Sequence, residues 1–342
     1  MRKNNHSPLN QALLPNNYPT KPLQKLVVII PALNEAVTIS AVINGIPHTI
    51  QGISTIEVVV IDDGSVDQTS TLARTAGAEV IRHKRNLGLG AAFRTGINEA
   101  LRRGADIIVN MDSDGQFDPR DIPRLITLIQ NGMADFVTTT RFAKPEYLPD
   151  MPAIKLFGNR WMTRIVNFLT AKKFTDVSCG FRAYSREAAL KLTLFGRFTY
   201  TQETFIDLAY KDISMAEVPL RVRGQRQHGR SRIAGSLWRY GIKSASIIFR
   251  AARDYQPLYF FGIPGVLIFF CGIIAGIFLV IHYVQTGQTH PYRSLVQISG
   301  ILIIVGFLLL FISLLADMLH RNRVLMDESL YYNRKKAFDR HE

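Results

Sequence analysis

The sequence of residues 106–116 is Asp106-Ile107-Ile108-Val109-Asn110-Met111-Asp112-Ser113-Asp114-Gly115-Gln116. Its apolar first half predicts a buried strand, which ends at two carboxylates, Asp112 and Asp114. Side chains two residues apart in an extended segment point to the same side, so both carboxylates can reach one hard cation whose other ligands are water and phosphate oxygens. This pattern therefore predicts a Mg²⁺ or Mn²⁺ ion bound together with a diphosphate.

A turn-forming pair of acids is the simpler alternative for Asp112 and Asp114, and Asp118-Pro119 does mark a turn shortly afterwards. Two acids at the exit of a buried strand nevertheless need a compensating charge. The pair lacks the further oxygen ligands and the final glutamate of an EF-hand loop, so a calcium site of that kind is not indicated. The cation remains the favoured interpretation.

Other apolar runs on both sides of this stretch alternate with amphipathic segments, which predicts an α/β fold. The expected strands are Leu26 to Ile30, Glu57 to Ile61, Glu79 to Ile81, Asp106 to Met111 and Asp135 to Thr139. Short apolar strands separated by helices favour a mainly parallel sheet covered on both faces. Ligands of such sheets bind beyond the carboxyl ends of the strands, so the functional residues are expected there.

Two polar motifs occupy those carboxyl ends. Residues 31–35 follow the first strand, and residues 62–69, Asp62-Asp63-Gly64-Ser65-Val66-Asp67-Gln68-Thr69, follow the second. The second motif is either a capped turn without a ligand or a set of acceptors for a ribose and a base, and capping is the stronger interpretation for that motif taken singly. Residues 88–93 form only a partial glycine fingerprint, so dinucleotide binding is not expected.

Composition limits the class of protein further. The 342 residues are 47% apolar and 20% charged, which excludes a disordered chain, and the two cysteines, Cys179 and Cys271, exclude a disulfide scaffold. The 41 lysines and arginines exceed the 27 acidic residues, and the resulting charge of +14 indicates an anionic partner. No nucleic-acid-binding module is recognisable, so nucleic acid is not the expected partner.

Two stretches, 258–284 and 295–319, are almost free of charge, and each exceeds the roughly 20 apolar residues that a membrane-spanning helix needs. Buried core helices are the alternative, but helices that are apolar on every side are rare in soluble domains. Basic residues precede the first stretch and follow the second, whereas the short connector holds only Arg293. The positive-inside rule then predicts a hairpin with both chain ends in the cytoplasm.

Amphipathic basic segments are expected at the membrane surface. Residues 154–173 and 236–253 repeat apolar side chains at helical spacing among cationic ones, and residues 221–253 contain nine Lys and Arg with no acid. The alternative for each segment is an ordinary helix that packs its apolar side against the protein core and exposes its cationic side to solvent. Because the second directly precedes an apolar stretch, an interfacial helix on anionic membrane lipids is favoured.

The motifs carry a resemblance to a known family. They occur in this order: Pro31 to Glu35, Asp62 to Thr69, Asn86 to Gly90, Asp112 to Gln116, Asp176 to Arg182, and His228 to Arg232. This set resembles family 2 glycosyltransferases with a GT-A fold. It is most similar to the polyprenyl-phosphate branch, which contains relatives of dolichyl-phosphate mannose synthase and of undecaprenyl-phosphate glycosyltransferases with a two-helix membrane hairpin.

The resemblance implies site residues. Asp112, Asp114, Arg141 and Arg226 would be the catalytic residues, Asp112, Asp114 and Gln116 would hold the metal, and Arg141 and Arg226, with Ser231, would meet the acceptor phosphate. The nucleotide-binding residues that it implies are Pro31, Ala32, Asn34, Glu35, Asp62, Asp63, Asp112 and Ser113.

The resemblance also implies a reaction, an inverting, Mg²⁺- or Mn²⁺-dependent transfer of one sugar from a nucleotide-diphosphate sugar to a polyprenyl phosphate. A UDP-hexose and undecaprenyl phosphate are favoured, with a bacterial inner membrane as the location and a homo-oligomer, such as a tetramer, as the assembly. The alternatives are a GDP-mannose-dependent mannose synthase, a processive polysaccharide synthase and a catalytically silent membrane scaffold.

The expected organisation has six parts. They are a flexible arm at 1–24, a catalytic domain at 25–235 with a nucleotide-sugar half at 25–145 and an acceptor half at 146–235, an interfacial helix at 236–256, transmembrane helices at 257–284 and 295–319, and a cytosolic tail at 320–342. The tail is either a frayed end or, as its aromatic residues suggest, a segment that packs on its own or a neighbouring catalytic domain.

Overall fold

The computed structural model describes residues 23–149, 151–193, 200–223, 249–250 and 253–339. The expected arm lies outside these residues except for Leu23 and Gln24, and so does most of the expected interfacial helix. The strands are β1 (Gln24–Ala32), β2 (Ile53–Asp62), β3 (Glu79–Arg82), β4 (Ile107–Asn110), β5 (Phe136–Thr140), β6 (Arg182–Ser185) and β7 (Met215–Pro219).

Seven helices belong to the sheet domain, and two long ones follow it among the described residues. They are α1 (Ile39–Asn44), α2 (Thr69–Thr75), α3 (Leu89–Arg102), α4 (Ile122–Gln130), α5 (Ala153–Thr170), α6 (Arg186–Lys191), α7 (Thr201–Tyr210), α8 (Ile263–Thr286) and α9 (Arg293–Asp339). Short 3₁₀ turns lie at Pro119–Asp121 and Pro145–Tyr147, and a π-helical turn, Leu258–Gly262, precedes α8.

The strands form one sheet in the order β3-β2-β1-β4-β6-β5-β7. All five expected strands are present, and the expected α/β class is confirmed. Two strands were not predicted: β6 runs antiparallel to both β4 and β5, and β7 pairs in parallel with β5. The sheet is thus mainly parallel, and the carboxyl ends of β1, β2, β4 and β5 share one edge.

Helices cover both faces of the sheet, which makes two apolar layers. Alternate residues of one strand enter opposite layers: Val27 and Ile29 pack with α3, α5 and α7, whereas Val28 and Ile30 pack with α1 and α4. The central strands β1 and β4 are buried on both faces, as expected for near-continuous apolar runs in a parallel sheet. This rigid centre carries the loops at the carboxyl edge.

Helix α5 has two apolar faces. Met162, Val166 and Leu169 pack into the domain core, whereas Phe157 and Phe168 are 69% and 81% exposed. The apolar residues at helical spacing in this segment divide between the two faces: Leu169 is buried, Ile165 is half-buried, and Phe157, Trp161 and Phe168 are exposed. The exposed face is apolar and lies next to cationic side chains, including Arg160 and Arg164.

Helices α8 and α9 form an antiparallel pair that is long and apolar enough to cross a membrane. Glycines bring the two backbones together: a Cβ atom on Gly272 would lie 2.8 Å from the backbone nitrogen of Ile303, and one on Gly306 would lie 2.5 Å from that of Phe269. Small residues at such crossings allow close van der Waals packing where lipid removes the hydrophobic driving force.

The tail packs on its own catalytic domain, which confirms one of the two alternatives for this segment. Helix α9 has 47 residues, so it is about 70 Å long at 1.5 Å per residue, far more than a bilayer core of about 30 Å. Its last turns pack on the domain, where Tyr331 and Phe338 contact the core layer that contains α3 and α6. Arg334 donates to the carbonyl oxygens of Leu190 and Leu192 at 2.9 and 2.8 Å.

A polar cluster joins the domain, the segment before α8, and α9. The ammonium group of Lys211 contacts Asp207 at 3.0 Å and Asp327 of α9 at 3.6 Å. Tyr255 donates to Asp207 at 3.3 Å and accepts from Arg323 of α9 at 3.1 Å. Because three separate segments meet in this cluster, it restricts how the hairpin is oriented on the sheet domain.

The Arg334 contact is expected to matter for stability. An Arg334→Met variant leaves two carbonyl oxygens at the end of α6 without their donor, which costs about 2 kcal/mol and lowers the melting temperature by about 4–8 °C. Thermal unfolding of the detergent-solubilised chain measures this. Lys336→Met is the matched control, because Lys336 lies on the same helix and is exposed. Equal melting temperatures for both variants would contradict the docking of the tail.

Candidate active site

The acidic loop after β4 lies at the carboxyl edge of the sheet. Asp114 is 3% exposed, and its Oδ1 accepts from the backbone nitrogen of Gln116 at 3.1 Å. The Asp112 carboxylate lies against Gly180, where an added Cβ atom would be 2.7 Å from Oδ2. The absence of a side chain at Gly180 therefore leaves the space that the Asp112 carboxylate occupies. The two residues are 68 positions apart, so no local sequence pattern could predict this contact.

The same loop is tied to the end of β1. Ser113 donates through Oγ to the carbonyl oxygen of Pro31 at 3.1 Å, and Thr38 donates to the carbonyl oxygen of Ser113 at 2.7 Å. Pro31, Ala32 and Ser113 are buried here. The structure thus brings together the residues expected at the ends of the first and fourth strands.

The loops after β1 and β2 are cross-linked. The backbone nitrogen of Asn34 donates to Ser65 Oγ at 2.9 Å, and Asn34 Oδ1 accepts from the backbone nitrogen of Val66 at 2.8 Å. The backbone nitrogen of Glu35 donates to Thr69 Oγ1 at 2.9 Å. Asn34 adopts a left-handed conformation with φ of 50°, which asparagine tolerates better than most residues. The two polar motifs therefore form a single surface.

Asp62 is fully buried and serves the turn that follows β2. Its carboxylate accepts from the backbone nitrogen of Ser65 at 2.8 Å and from the hydroxyl of Ser70. Burial by itself raises the pKa of Asp62, but these donors and the nearby Arg82 guanidinium outweigh burial and hold the pKa below its ordinary value. This is the capped-turn geometry, and the nucleotide role of Asp62 stays a prediction.

Asp63 belongs to a hydrogen-bonded group that sequence reasoning did not find. Its carboxylate contacts His83 Nδ1 at 2.7 Å and accepts from the backbone nitrogens of Leu87 and Gly88 at 2.9 and 2.8 Å. His83 Nε2 lies 3.1 Å from Thr95 Oγ1 on α3. Asp63 thereby fixes the loop that enters α3 beside the other edge loops. A lone histidine after a short strand carries no sequence signal for this role.

Arg141 follows β5 and pairs with a buried acid. Its Nε and Nη2 atoms donate to the two oxygens of Asp176 at 2.6 and 3.1 Å, and Nη2 also donates to Ser178 Oγ at 2.8 Å. Burial by itself raises the pKa of Asp176, but the Arg141 guanidinium and the donors of Ser178 outweigh it, so the pKa lies below the ordinary value. The side chain of Arg141 keeps 16% of its surface exposed.

The remaining predicted site residues divide into two groups. Arg226 and Ser231 lie outside the described residues. Gln116 is described, and it forms two hydrogen bonds with Arg223, one from the side-chain amide to the Arg223 carbonyl at 3.1 Å and one from the Arg223 backbone nitrogen to the Gln116 carbonyl at 3.0 Å. The segment after β7 therefore borders the acidic loop.

The residues at the edge fit a divalent cation that shares its shell with a substrate diphosphate. Oxygen donors of Asp112, Asp114 and Gln116 are the ligand type that Mg²⁺ and Mn²⁺ prefer, and Gly180 leaves room for the Asp112 carboxylate. Among the described residues no group of three or more His, Cys, Asp or Glu side chains could hold a metal alone. A cation held by two carboxylates and phosphate oxygens needs no such group.

The Gly180 contact can be tested directly. We expect Gly180→Ala to displace the Asp112 carboxylate and to weaken Mn²⁺ binding in the presence of nucleotide by about 10- to 100-fold, as changes beside metal ligands do. Electron paramagnetic resonance of free Mn²⁺ measures the affinity. The matched control is Gly158→Ala on α5, where an added Cβ atom meets nothing within 4 Å. Unchanged Mn²⁺ affinity in the Gly180 variant would contradict the assignment of Asp112 as a metal ligand.

Comparisons with known proteins agree with this geometry. The profile of glycosyl transferase family 2 matches residues 27–193. Polyprenol monophosphomannose synthase of Mycolicibacterium smegmatis is 30% identical over 226 residues, 63% of this chain and 83% of that protein. UDP-N-acetylglucosamine–dolichyl-phosphate N-acetylglucosaminyltransferase of Methanococcus voltae is 30% identical over 216 residues, 57% of this chain and 84% of that protein.

A solved structure shares the fold. Glucosyl-3-phosphoglycerate synthase of Mycobacterium tuberculosis, crystallised with Mn²⁺, UDP and phosphoglyceric acid, superposes with a TM-score of 0.50 at 24% identity, over 67% of this chain and 78% of that chain. The mainly parallel sheet with its acidic carboxyl edge is thus a GT-A fold, and the family profile and the two relatives make the protein a glycosyltransferase. The chain belongs to glycosyl transferase family 2.

Proposed function

We propose that this protein transfers one sugar, with inversion, from a nucleotide-diphosphate sugar to a polyprenyl phosphate at the cytosolic face of a membrane. A UDP-hexose donor and undecaprenyl phosphate are the favoured substrates. The observation that carries the proposal is the attachment of a GT-A edge, with its paired carboxylates and Arg141, to a long apolar hairpin in one chain. Soluble acceptors do not require such an anchor.

The donor side of the reaction is assigned to the carboxyl ends of β1, β2 and β4. The cross-linked loops that contain Asn34 and Glu35, with Asp63 behind them, form the surface for base and ribose. Asp112 and Asp114, with Gln116, hold the divalent cation, which when bound neutralises charge on the departing diphosphate. The chain's own contribution is to keep these oxygens in place before substrate arrives, since preorganised groups pay no reorganisation cost during reaction.

The acceptor side is assigned to Arg141, together with Arg226 and Ser231. A planar guanidinium group binds phosphate oxygens through paired donors, and Asp176 holds that of Arg141 in one orientation. A lipid phosphate is already largely dianionic near neutral pH, because its second pKa is about 6. It can attack the anomeric carbon without a general base, so we assign none.

The membrane location rests on three features of the chain. Helices α8 and α9 are long and apolar enough to span. Cationic residues flank the two apolar stretches, which by the positive-inside rule favours a cytoplasmic location for both chain termini. The exposed aromatic side chains of α5 lie among basic residues, a combination that favours the interface of anionic lipids. A polyprenyl phosphate cannot leave the bilayer, so its transferase must work at that surface.

A GDP-mannose-dependent reaction is the second candidate. The relative from Mycolicibacterium smegmatis is named a monophosphomannose synthase, whereas the one from Methanococcus voltae is named for UDP-N-acetylglucosamine. Both relatives are equally identical to this chain. We favour UDP because the solved neighbour with the same fold was crystallised with UDP and Mn²⁺. A bacterial inner membrane and a homo-oligomer, such as a tetramer, complete the proposal.

A donor panel tests it. The full-length protein in detergent is given a short polyprenyl phosphate, Mg²⁺ or Mn²⁺, and one labelled sugar at a time as UDP-glucose, UDP-galactose, UDP-N-acetylglucosamine or GDP-mannose. We expect one donor to place a single sugar in the lipid phase, and we expect EDTA to abolish the label. A GDP-mannose product would replace the favoured donor with the second candidate.

The same assay separates the rival classes. A ladder of long products would identify a processive polysaccharide synthase. Nucleotide binding without any lipid product, from every donor in the panel and with either metal, would identify a silent scaffold and overturn the proposal. Product chain length is read by thin-layer chromatography and mass spectrometry after mild acid release.

A further inference from the structure

The loop between α5 and β6 connects the two halves of the site. Asp176 of this loop binds Arg141, and Gly180 of the same loop lies against Asp112. The carbonyl oxygen of Gly180 accepts from the side chain of Asn110 at 2.8 Å. The loop is thus held at two places: Asp176 contacts Arg141, and Asn110 holds Gly180 beside Asp112 independently of Asp176.

Glu217 holds the start of that loop from the adjoining strand β7. Its carboxylate accepts from the backbone nitrogen of Thr175 at 2.8 Å, from the backbone nitrogen of Asp176 at 3.0 Å and from the hydroxyl of Thr175 at 3.0 Å. Burial raises the pKa of Glu217 above its ordinary value, although the amide donors oppose this. Three donors from two consecutive residues make one carboxylate the anchor of the loop.

The anchor also reaches the segment that carries Arg141. The hydroxyl of Thr175 lies 2.6 Å from that of Thr140, the residue before Arg141. Thr138 of β5, three residues before Arg141, is the register partner of Glu217 in the parallel pair with β7. Glu217 thus contacts the loop with Asp176 while its own strand holds the strand that leads into Arg141, so it sets the relative position of the two partners.

We propose that Glu217 is a positioning residue for phosphate recognition, acting through Thr175 and Asp176 on the orientation of the Arg141 guanidinium. The inference rests on the proposed function, in which Arg141 meets the acceptor phosphate. Glu217 touches no substrate in this proposal. Its loss lets Asp176 and Arg141 rearrange, while the loops of the donor surface, which are held by other contacts, keep their geometry.

The kinetic expectation follows from this division. Glu217→Ala lowers kcat/KM for the polyprenyl phosphate by about 10- to 100-fold, because displacements near 1 Å in a reacting group have effects of that size. The KM for the nucleotide sugar stays within about twofold of the wild-type value, since that surface is unchanged. Glu217→Gln retains a carbonyl oxygen that accepts from the two backbone nitrogens and restores most of the lost kcat/KM.

The matched control is Glu57→Ala. Glu57 is also a partly buried strand glutamate with two partners, Lys25 and Arg103, but it lies in the middle of β2, five residues before the carboxyl end of that strand. It reports the effect of losing a strand carboxylate on stability alone. Equal losses of kcat/KM in the Glu57 and Glu217 variants would show that Glu217 contributes only to stability and would overturn the inference.

A second measurement does not depend on turnover. Phenylglyoxal modifies accessible guanidinium groups, and peptide mass spectrometry follows the reaction at Arg141 in the full-length protein. We expect about tenfold faster modification in Glu217→Ala than in the wild type or in Glu57→Ala, with Glu217→Gln close to wild type. Unchanged protection of Arg141 in both Glu217 variants overturns the inference. Absence of product from the wild-type protein would overturn the proposed function instead, because the Arg141 modification rates would still report on Glu217.

Discussion

An Asp114→Asn variant is expected to lose sugar transfer by about 100- to 1,000-fold, the range found when one preorganised electrostatic group is removed from a transition state. Asparagine keeps the Oδ1 acceptor that binds the backbone nitrogen of Gln116, so the loop conformation survives while the charge is lost. The defect should therefore lie in the proposed metal-dependent transfer and not in folding. Initial rates of lipid-linked product at saturating donor and Mn²⁺ measure it.

Two further observations define this result. The affinity for free UDP without metal is expected to stay within about twofold, because the loops that we propose to bind base and ribose are held by hydrogen bonds that do not involve Asp114. Asp118→Asn is the matched control: Asp118 lies four residues on, and its carboxylate pairs with the exposed Arg120. Wild-type rates for Asp114→Asn, or an equal loss of rate for Asp118→Asn, would contradict the assignment of Asp114 as a metal ligand.

Breaking the Asp176–Arg141 pair has the second largest expected effect. Asp176 is fully buried, and its two carboxylate oxygens accept hydrogen bonds from the Arg141 guanidinium group. In Asp176→Asn an amide with a single acceptor oxygen replaces that carboxylate, and the negative charge is lost. Removing one partner of a buried ion pair costs about 3 kcal/mol, which lowers the melting temperature by about 6–12 °C. Thermal unfolding of the detergent-solubilised chain measures the loss of stability.

The pH dependence of that loss has a definite sign. The pKa of Asp176 in the folded protein lies below its ordinary value. Its contribution is therefore fully present above the unfolded-state pKa of about 3.9 and is lost as the pH falls through the folded-state pKa. The difference in stability between wild type and Asp176→Asn should stay constant from about pH 8 to 5 and shrink only below about pH 4.

A double-mutant cycle separates the pair from its surroundings. Arg141→Met alone and Asp176→Asn alone each break the ion pair, so the double variant should be no less stable than the worse single variant, and the coupling free energy should exceed about 1 kcal/mol. Simple additivity of the two single effects would contradict the pairing. A stability difference that grew as the pH fell from 8 to 5 would contradict the lowered pKa.

Much of the fold could be predicted because its signals are local. The five apolar strands and the motifs at their carboxyl ends lie within short stretches of chain, and a parallel sheet places those ends at one edge. Strand β6 was not predicted because it begins with Arg182, a residue that is unusual inside a core. Its guanidinium group lies 4.8 Å from the ring of Phe205 and donates to the carbonyl of Cys179, contacts that form only after folding.

The sequence by itself determined the class of fold, the acidic edge, the apolar hairpin and the basic residues around it, because periodicity, composition and charge are properties of consecutive residues. Only the tertiary structure decided which residues meet: Asp176 with Arg141, Gly180 with Asp112, His83 with Asp63, and the end of α9 with α6. These partners are separated by 20 to 144 positions in the chain. Their contacts arise from the strand order and from the packing of helices on the sheet, and neither can be predicted from a single stretch of sequence.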